Sequence, residues 1–274
     1  MNDTDVTLLV PSCDRYADLW PPFFALLRRD WPDCPYRVVL GSNVLACAEP
    51  GVEALTVGPD RDWSSSLRAM LTAIDTPYVL ILLEDFFLES PVDTARLRDL
   101  ARRLDLLGGA YLRLRPFPPP DHTLARHPPI GEIDVGAPYR CSMQAAIWRR
   151  ESLLDLLVDG ESPWEFEHLA ARRSDLDPRG YYSTWDPALR FFAGVTMGAW
   201  LPQGVAVCRA QGVSVDTRAR RVLTARELAA RLPATVLSRA LALVPWRPRE
   251  RLLRAWRSLG LRAQKPYPSQ AREP

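Results

Sequence analysis

Sulfur and imidazole chemistry have little to work with in this chain. Its five cysteines, Cys13, Cys34, Cys47, Cys141 and Cys208, stand far apart with no CxxC pair, and its three histidines, His122, His127 and His168, are isolated. That spacing excludes a zinc ribbon and a disulfide-stapled scaffold, and it fits free thiols in a reducing compartment. There is no GxGxxG and no GxxxxGK[ST], so a dinucleotide fingerprint and a P-loop are excluded as well. Long apolar runs are also missing. The longest uncharged stretch, Phe191–Cys208, is broken by Gly194, Gly198, Pro202, Gln203 and Gly204 and reads as strand and loop rather than a membrane span. Asp3 and Asp5 occupy the place of a basic leader, and the apolar run after them is only Val6–Val10, so no signal peptide is expected.

What is present is a globular composition of 47% hydrophobic and 25% charged residues over 274 positions, enough for one large α/β domain or two small ones. The 26 prolines are about twice the usual share and predict many fixed loops. A net charge of +2 conceals a division: Arg218–Pro274 carries fourteen basic residues against three acids, whereas residues 1–217 carry 21 against 30. An acidic domain over 1–217 with a basic extension over 218–274 is therefore expected, and such asymmetry points to an anionic partner for the extension.

Val6–Val10, Tyr36–Leu40, Glu53–Val57 and Tyr78–Leu83 read as strands, the first and last wholly apolar as in sheets buried on both faces. Between and after them come helices: one capped by Asp18, one capped by Ser64 with Leu67, Met70, Leu71 and Ile74 on a face, and one with Leu97, Leu100, Ala101, Leu104 and Leu107 ending at Gly108-Gly109. Ala110–Arg115 alternates and reads as a half-exposed strand, with Arg113 and Arg115 to one side, open to solvent or to a phosphate. Residues 116–138 hold seven prolines and read as a long loop; Arg140–Trp148 and Ser152–Val158 resume as strand and helix. This alternation predicts a doubly wound α/β sheet, with ligands beyond the carboxyl ends of its strands.

Candidate chemistry sits at those ends. After the first strand, Pro11 leads into Asp14-Arg15, a pair suited to gripping a nucleotide, since arginine forms bidentate pairs with phosphate oxygens; an ordinary Asp turn is the other reading. Glu84-Asp85 ends the most apolar strand, and two carboxylates there suit Mg²⁺ or Mn²⁺ bridging a diphosphate; solvated strand-end acids are the alternative. Glu161 to His168 is acidic and aromatic. Trp164 and Phe166 offer flat surface to a sugar and a neighbouring glutamate could act as base, while Ser162, Pro163 and Glu165 equally spell a helix start.

With these residues in order, the chain resembles nucleotide-sugar-dependent glycosyltransferases of the GT-A fold, similar to the broad family-two-like group of bacterial surface-polysaccharide enzymes. Val6–Arg15 resembles the opening strand and nucleotide turn, Asp60–Ser64 the continuation of that pocket, Leu82–Asp85 the DxD position, and residues 144–172 the acceptor-side strand, helix and acidic motif. The resemblance implies a GT-A, Rossmann-like, mostly parallel central sheet flanked by helices. It implies a nucleotide-sugar donor held by Pro11, Asp14, Arg15, Asp60, Trp63 and Glu84, a divalent cation (Mg²⁺ or Mn²⁺) on Asp85 and Glu84, and a base at Glu165 or Glu167. Two departures stand out: only the last acid of the DxD is in place, and Phe166 occupies the usual base position.

Thr224 and Glu227 form a capping box, and a last helix carries Leu252, Leu253, Trp256 and Leu259 on one face with Arg251, Arg254 and Arg257 around the rest. A basic amphipathic helix suits an anionic membrane surface; docking on the acidic domain is the rival, and no pattern for nucleic acid is present. The expectation is a cytoplasmic enzyme, peripheral on the inner face of the cell membrane, acting on a glycan or lipid-linked acceptor. A nucleotidyltransferase and a non-catalytic, membrane-associated carbohydrate-binding scaffold of the same fold are the alternatives.

Overall fold

Val6–Pro11 forms the first strand, β1, with every residue buried, because it pairs in parallel with β2 (Arg37–Ser42) on one side and β4 (Tyr78–Ile81) on the other. The computed structural model describes residues 1–196 and 198–230. In chain order the elements are β1, α1 (Trp20–Asp30), β2, β3 (Glu53–Thr56), α2 (Trp63–Ala73), β4, β5 (Phe86–Leu88), α3 (Thr94–Leu106), β6 (Tyr111–Arg113), β7 (His122–Thr123) and β8 (Ile130–Glu132). They continue with β9 (Ala146–Arg149), α4 (Arg150–Leu156), α5 (Pro163–Arg173), β10 (Tyr181–Thr184), β11 (Phe191–Ala193), β12 (Val195–Thr196), β13 (Ala199–Trp200), α6 (Pro202–Ala210) and α7 (Ala225–Ala229).

The main sheet runs β3-β2-β1-β4-β9-β6-β10-β8-β7. The pairings leave β9 and β8 reversed and the other seven strands in one direction. This is a mostly parallel central sheet flanked by helices, as the alternating pattern predicts. Successive residues of β1 feed opposite layers: Leu8 and Val10 pack with Phe23, Leu26, Leu97 and Leu100 of α1 and α3, and Leu9 packs with Leu67, Leu71, Leu153 and Phe166 of α2, α4 and α5. Each such leucine contributes about 1.5–3 kcal/mol of burial. The chain lays β2 and β3 to one side of β1 and then returns to place β4 on the other. The order thus reverses between β1 and β4, and their carboxyl ends frame a crevice open to ligands.

Several local expectations are corrected. Asp18 caps nothing: residues Asp14–Leu19 form a 3-10 turn running into α1. Asp62, not Ser64, caps α2, accepting from the Ser65 amide. The strand at β6 is buried throughout, so Arg113 is not on a solvated face, and the strand ends there, so Arg115 does not share its side. The proline-rich loop contains β7 and β8, an antiparallel pair that widens the sheet. The uncharged stretch at 191–208 holds three short strands, and its Pro202 begins helix α6.

The packed body continues past residue 217. Val222 bridges Trp200, the Leu223 amide donates to the Trp200 carbonyl at 2.9 Å, and Leu223 is buried. The Thr224–Glu227 capping box forms at the start of α7. The final amphipathic helix expected around Leu252–Leu259 lies outside the described residues. Among the described residues no helix is long and apolar enough to cross a membrane.

Candidate functional site

The carboxyl ends of β1 and β4 bring Ser12 and Cys13 against Glu84-Asp85. The Leu82 amide still donates to the Leu9 carbonyl at 3.1 Å, so the sheet ladder holds β4 against β1 up to one residue before the pair diverges. Trp20 Nε1 donates to Ser12 Oγ at 2.8 Å, which turns the Ser12 hydroxyl toward the Glu84 carboxylate. Asp85 is fixed from behind, its carbonyl accepting from the Gly194 amide at 2.8 Å. A Cβ on Gly194 would lie 1.9 Å from the Phe87 ring, so only glycine lets that segment approach.

The two carboxyls stand above their ordinary range. Burial raises Glu84 most, the negative charge of Asp85 raises it further, and the Ser12 hydroxyl and Arg220 oppose this; burial likewise raises Asp85, against its own amide and Arg220. Asp85 Oδ1 is shielded from solvent and has no hydrogen-bond partner among the described residues. An anionic oxygen left bare inside a protein costs free energy unless a cation or donor meets it. Two adjacent carboxylates with such an oxygen fit a hard divalent cation that takes its other ligands from diphosphate and water. Among the described residues no group of three His, Cys, Asp or Glu side chains gathers as a metal cage.

Around this pair the other candidates divide. The Cys13 thiol is pushed up by burial first and then by the charges of Glu84 and Asp60, which places Asp60 near the same turn. Asp14 is committed to the protein: its carboxylate accepts from the amides of Asn43, Val44 and Leu45 at 3.1–3.2 Å, holding the loop after β2. Arg15 and Asp60 are exposed and Pro11 is buried at the end of β1. Trp63 packs its ring 5.4 Å from that of Phe166. Phe166 is fully buried and offers no surface to a sugar, while Trp164 is 48% exposed.

The two candidate bases have different surroundings. Ser162 caps α5 and Glu165 closes the capping box, accepting from the Ser162 amide and hydroxyl at 2.9 and 2.7 Å; those bonds hold its carboxyl below the ordinary range. Glu167 instead turns inward, Oε1 accepting from the Met143 amide at 2.9 Å, and burial raises its pKa against the pull of that amide and of Arg113. Met143 precedes β9, whose Ala146 is in register with Ile81 of β4 and Arg113 of β6. Glu167 therefore reaches the same sheet edge as Glu84-Asp85.

Arg220 belongs to this site although its position suggests the basic extension. Its guanidinium makes a two-point contact with Asp18 at 2.9 and 2.8 Å, donates to the Arg15 and Gly198 carbonyls, and lies 4.4 Å over the Tyr16 ring. It thus ties the turn after β1 to the hairpin behind Asp85. The local signal for it is faint: Val222-Leu223, an apolar pair just before the Thr224 cap, marks a segment with something to bury.

No family model matches this chain, and no curated protein matches it. Among solved structures it is similar to S. aureus TarS 1–349, at 13% identity and a TM-score of 0.40 over 65% of this chain and 60% of that one. The same TarS fragment in complex with UDP gives 13% identity and 0.43 over 65% and 60%. A cytidylyltransferase from Leptospira borgpetersenii gives 14% and 0.38 over 64% and 72%. The chain thus spans about 60% of the length of the TarS fragment. At these scores the likeness carries no information about activity.

Proposed function

We propose that the protein is a glycosyltransferase that moves a sugar from a nucleotide diphosphate sugar to a hydroxyl of a glycan or lipid-linked acceptor in surface polysaccharide synthesis. The observation that supports it most is the buried Glu84-Asp85 pair, with the partnerless Asp85 Oδ1, at the crevice where strand order reverses between β1 and β4.

In this reading Asp85, with Glu84 beside it, would hold Mg²⁺ or Mn²⁺, which would supply neutralisation of the charge on a departing diphosphate. Ser12 orients Glu84, Asp14 braces the loop at 43–45, Arg220 fixes the turn at 14–18, and the exposed Arg15 and Asp60 line the nucleotide side. Trp63 serves as a wall shared with the acceptor helix. Glu167 takes the proton of the acceptor hydroxyl as its oxygen bonds to the anomeric carbon, and the bond from that carbon to the diphosphate breaks with its electron pair leaving on phosphate. Glu167 suits this because its raised pKa brings it toward the operating pH, whereas Glu165 is spent on the helix cap. The basic segment beyond the described residues would hold the enzyme on an anionic membrane surface, on the cytoplasmic face.

The products decide. A panel of nucleotide sugars offered with a lipid and glycan extract should release free nucleoside diphosphate together with a glycosylated product. A second mixture of nucleoside triphosphates with sugar 1-phosphates decides the alternative: pyrophosphate released there, with no nucleoside diphosphate from the first, would make the protein a nucleotidyltransferase.

A further inference from the structure

Arg113 and Arg115 are two residues apart and serve opposite ends. Arg113 is fully buried, with Nε on the Tyr111 hydroxyl and its terminal nitrogens on the Pro118 and Tyr139 carbonyls; its donors are consumed by the fold. Arg115 is exposed. Its guanidinium carbon lies 4.9 Å over the Phe191 ring, and its one side-chain hydrogen bond among the described residues is a long 3.4 Å contact to the Phe191 carbonyl. No carboxylate pairs with it among the described residues. Of the five N–H donors of an arginine, most therefore remain available.

Its place is set by rigid parts. Phe191 stacks on Phe86 at 4.7 Å, and Phe86 follows Asp85 in the chain, so the aromatic pair links the guanidinium to the turn that carries the carboxylates. A guanidinium held flat on a ring keeps its edge free for a planar, two-point bond to phosphate. The register across Ile81, Ala146 and Arg113 puts β6 two strand spacings, roughly 10 Å, from β4, on the side away from β1. The crevice of the proposed nucleotide lies between β1 and β4; Arg115 follows β6 beyond it, just after Leu114, whose amide donates to the Ala145 carbonyl at 3.0 Å, two residues past Met143, the partner of Glu167.

We infer that Arg115 is a phosphate-binding residue of the acceptor subsite, so that the acceptor carries a phosphate near the hydroxyl that is glycosylated. This rests on the glycosyltransferase reading for the word acceptor, and not for the phosphate site itself. The test uses glucose 6-phosphate and glucose as matched probes, titrated by ligand-observed NMR into the full chain, its Arg115→Met and Arg115→Lys variants, with and without saturating nucleoside diphosphate and Mn²⁺. The expected result is that wild type prefers the phosphorylated probe about tenfold, as one charge-assisted pair allows, that Met abolishes the preference and Lys restores part of it, and that nucleotide leaves it intact. Equal binding of the two probes to wild type, or an unchanged preference in Arg115→Met, would overturn the assignment. So would displacement of the phosphorylated probe by nucleotide, which would give Arg115 to the donor diphosphate. Absence of binding by any nucleotide would instead sink the glycosyltransferase reading, while the comparison of probes without nucleotide would still decide the role of Arg115.

Discussion

The two halves of the sheet are built on different terms. On the β3-β2-β1-β4 side all pairings are parallel, β1 and β4 are wholly buried, and charged side chains enter only where strands begin or end. On the β9-β6-β10-β8-β7 side parallel and antiparallel pairings are mixed, and charged side chains such as Arg113 and Arg140 are buried within it. The first half is a generic platform whose chemistry is confined to strand ends; the second takes its shape from specific side-chain to carbonyl bonds. In the proposed reaction a nucleotide would be the invariant part and an acceptor the variable part, and the division of construction would match that division of labour.

Changes on the acceptor side should strike turnover without touching nucleotide affinity. Glu167→Gln should lower kcat by about 10²–10⁴-fold, the usual worth of a general base, with nucleotide affinity unchanged. Glu165→Gln, which keeps a capping-box side chain at that position, should leave kcat within about twofold and the stability nearly unchanged. If the two variants exchanged these phenotypes, the assignment of base and cap would be reversed.

Arg220→Met tests whether the nucleotide side depends on a segment far away in sequence. Its guanidinium and the Asp18 carboxylate are 9% and 15% exposed, so removal of one partner should cost about 3 kcal/mol in urea unfolding. A loss of a few tenths would show that the segment at 218–223 is an ornament on the body rather than part of it.

The smallest effect concerns the seam between the halves. Asp62 caps α2 and also accepts from the Gly160 amide at 3.0 Å, joining the nucleotide side to the loop before α5. Burial works to raise its pKa, but the bonds from Ser65, Gly160 and Ser64 prevail and hold it at about 2. Asp62→Ala should cost about 1–2 kcal/mol at neutral pH. Because the folded pKa lies below the unfolded value of about 3.9, this contribution is full above that value and is lost as pH falls toward 2. The gap between variant and wild type in denaturant midpoint should therefore close in acid; a gap independent of pH would place the stabilisation elsewhere.

Legibility in the sequence follows the same divide. The platform strands announce themselves because parallel strands covered on both faces must be continuously apolar, and Glu84-Asp85 stands out against that background. The β9-β6-β10-β8-β7 half hides its structure. Arg113 breaks the apolar pattern of β6 because Tyr111, Pro118 and Tyr139 satisfy its donors, a fact no local window contains. Strands of two and three residues, as in β7 and β8, are too short to show a period. The Arg220–Asp18 pair spans 202 positions, so charge counting assigned Arg220 to the extension. Ser162 and Glu165 did spell a helix start, and the same spelling accounts for Glu165 without invoking catalysis.

The central claim is that the crevice between β1 and β4 binds a nucleoside diphosphate through the carboxylate pair. The direct measurement is calorimetric titration of a panel of nucleoside diphosphates and nucleotide sugars into wild type and Asp85→Asn, with Mn²⁺, with Mg²⁺ and with chelator. Binding of one nucleotide that requires the cation and disappears in Asp85→Asn is the predicted result. Nucleotide binding of equal strength in both proteins, with or without metal, would contradict it.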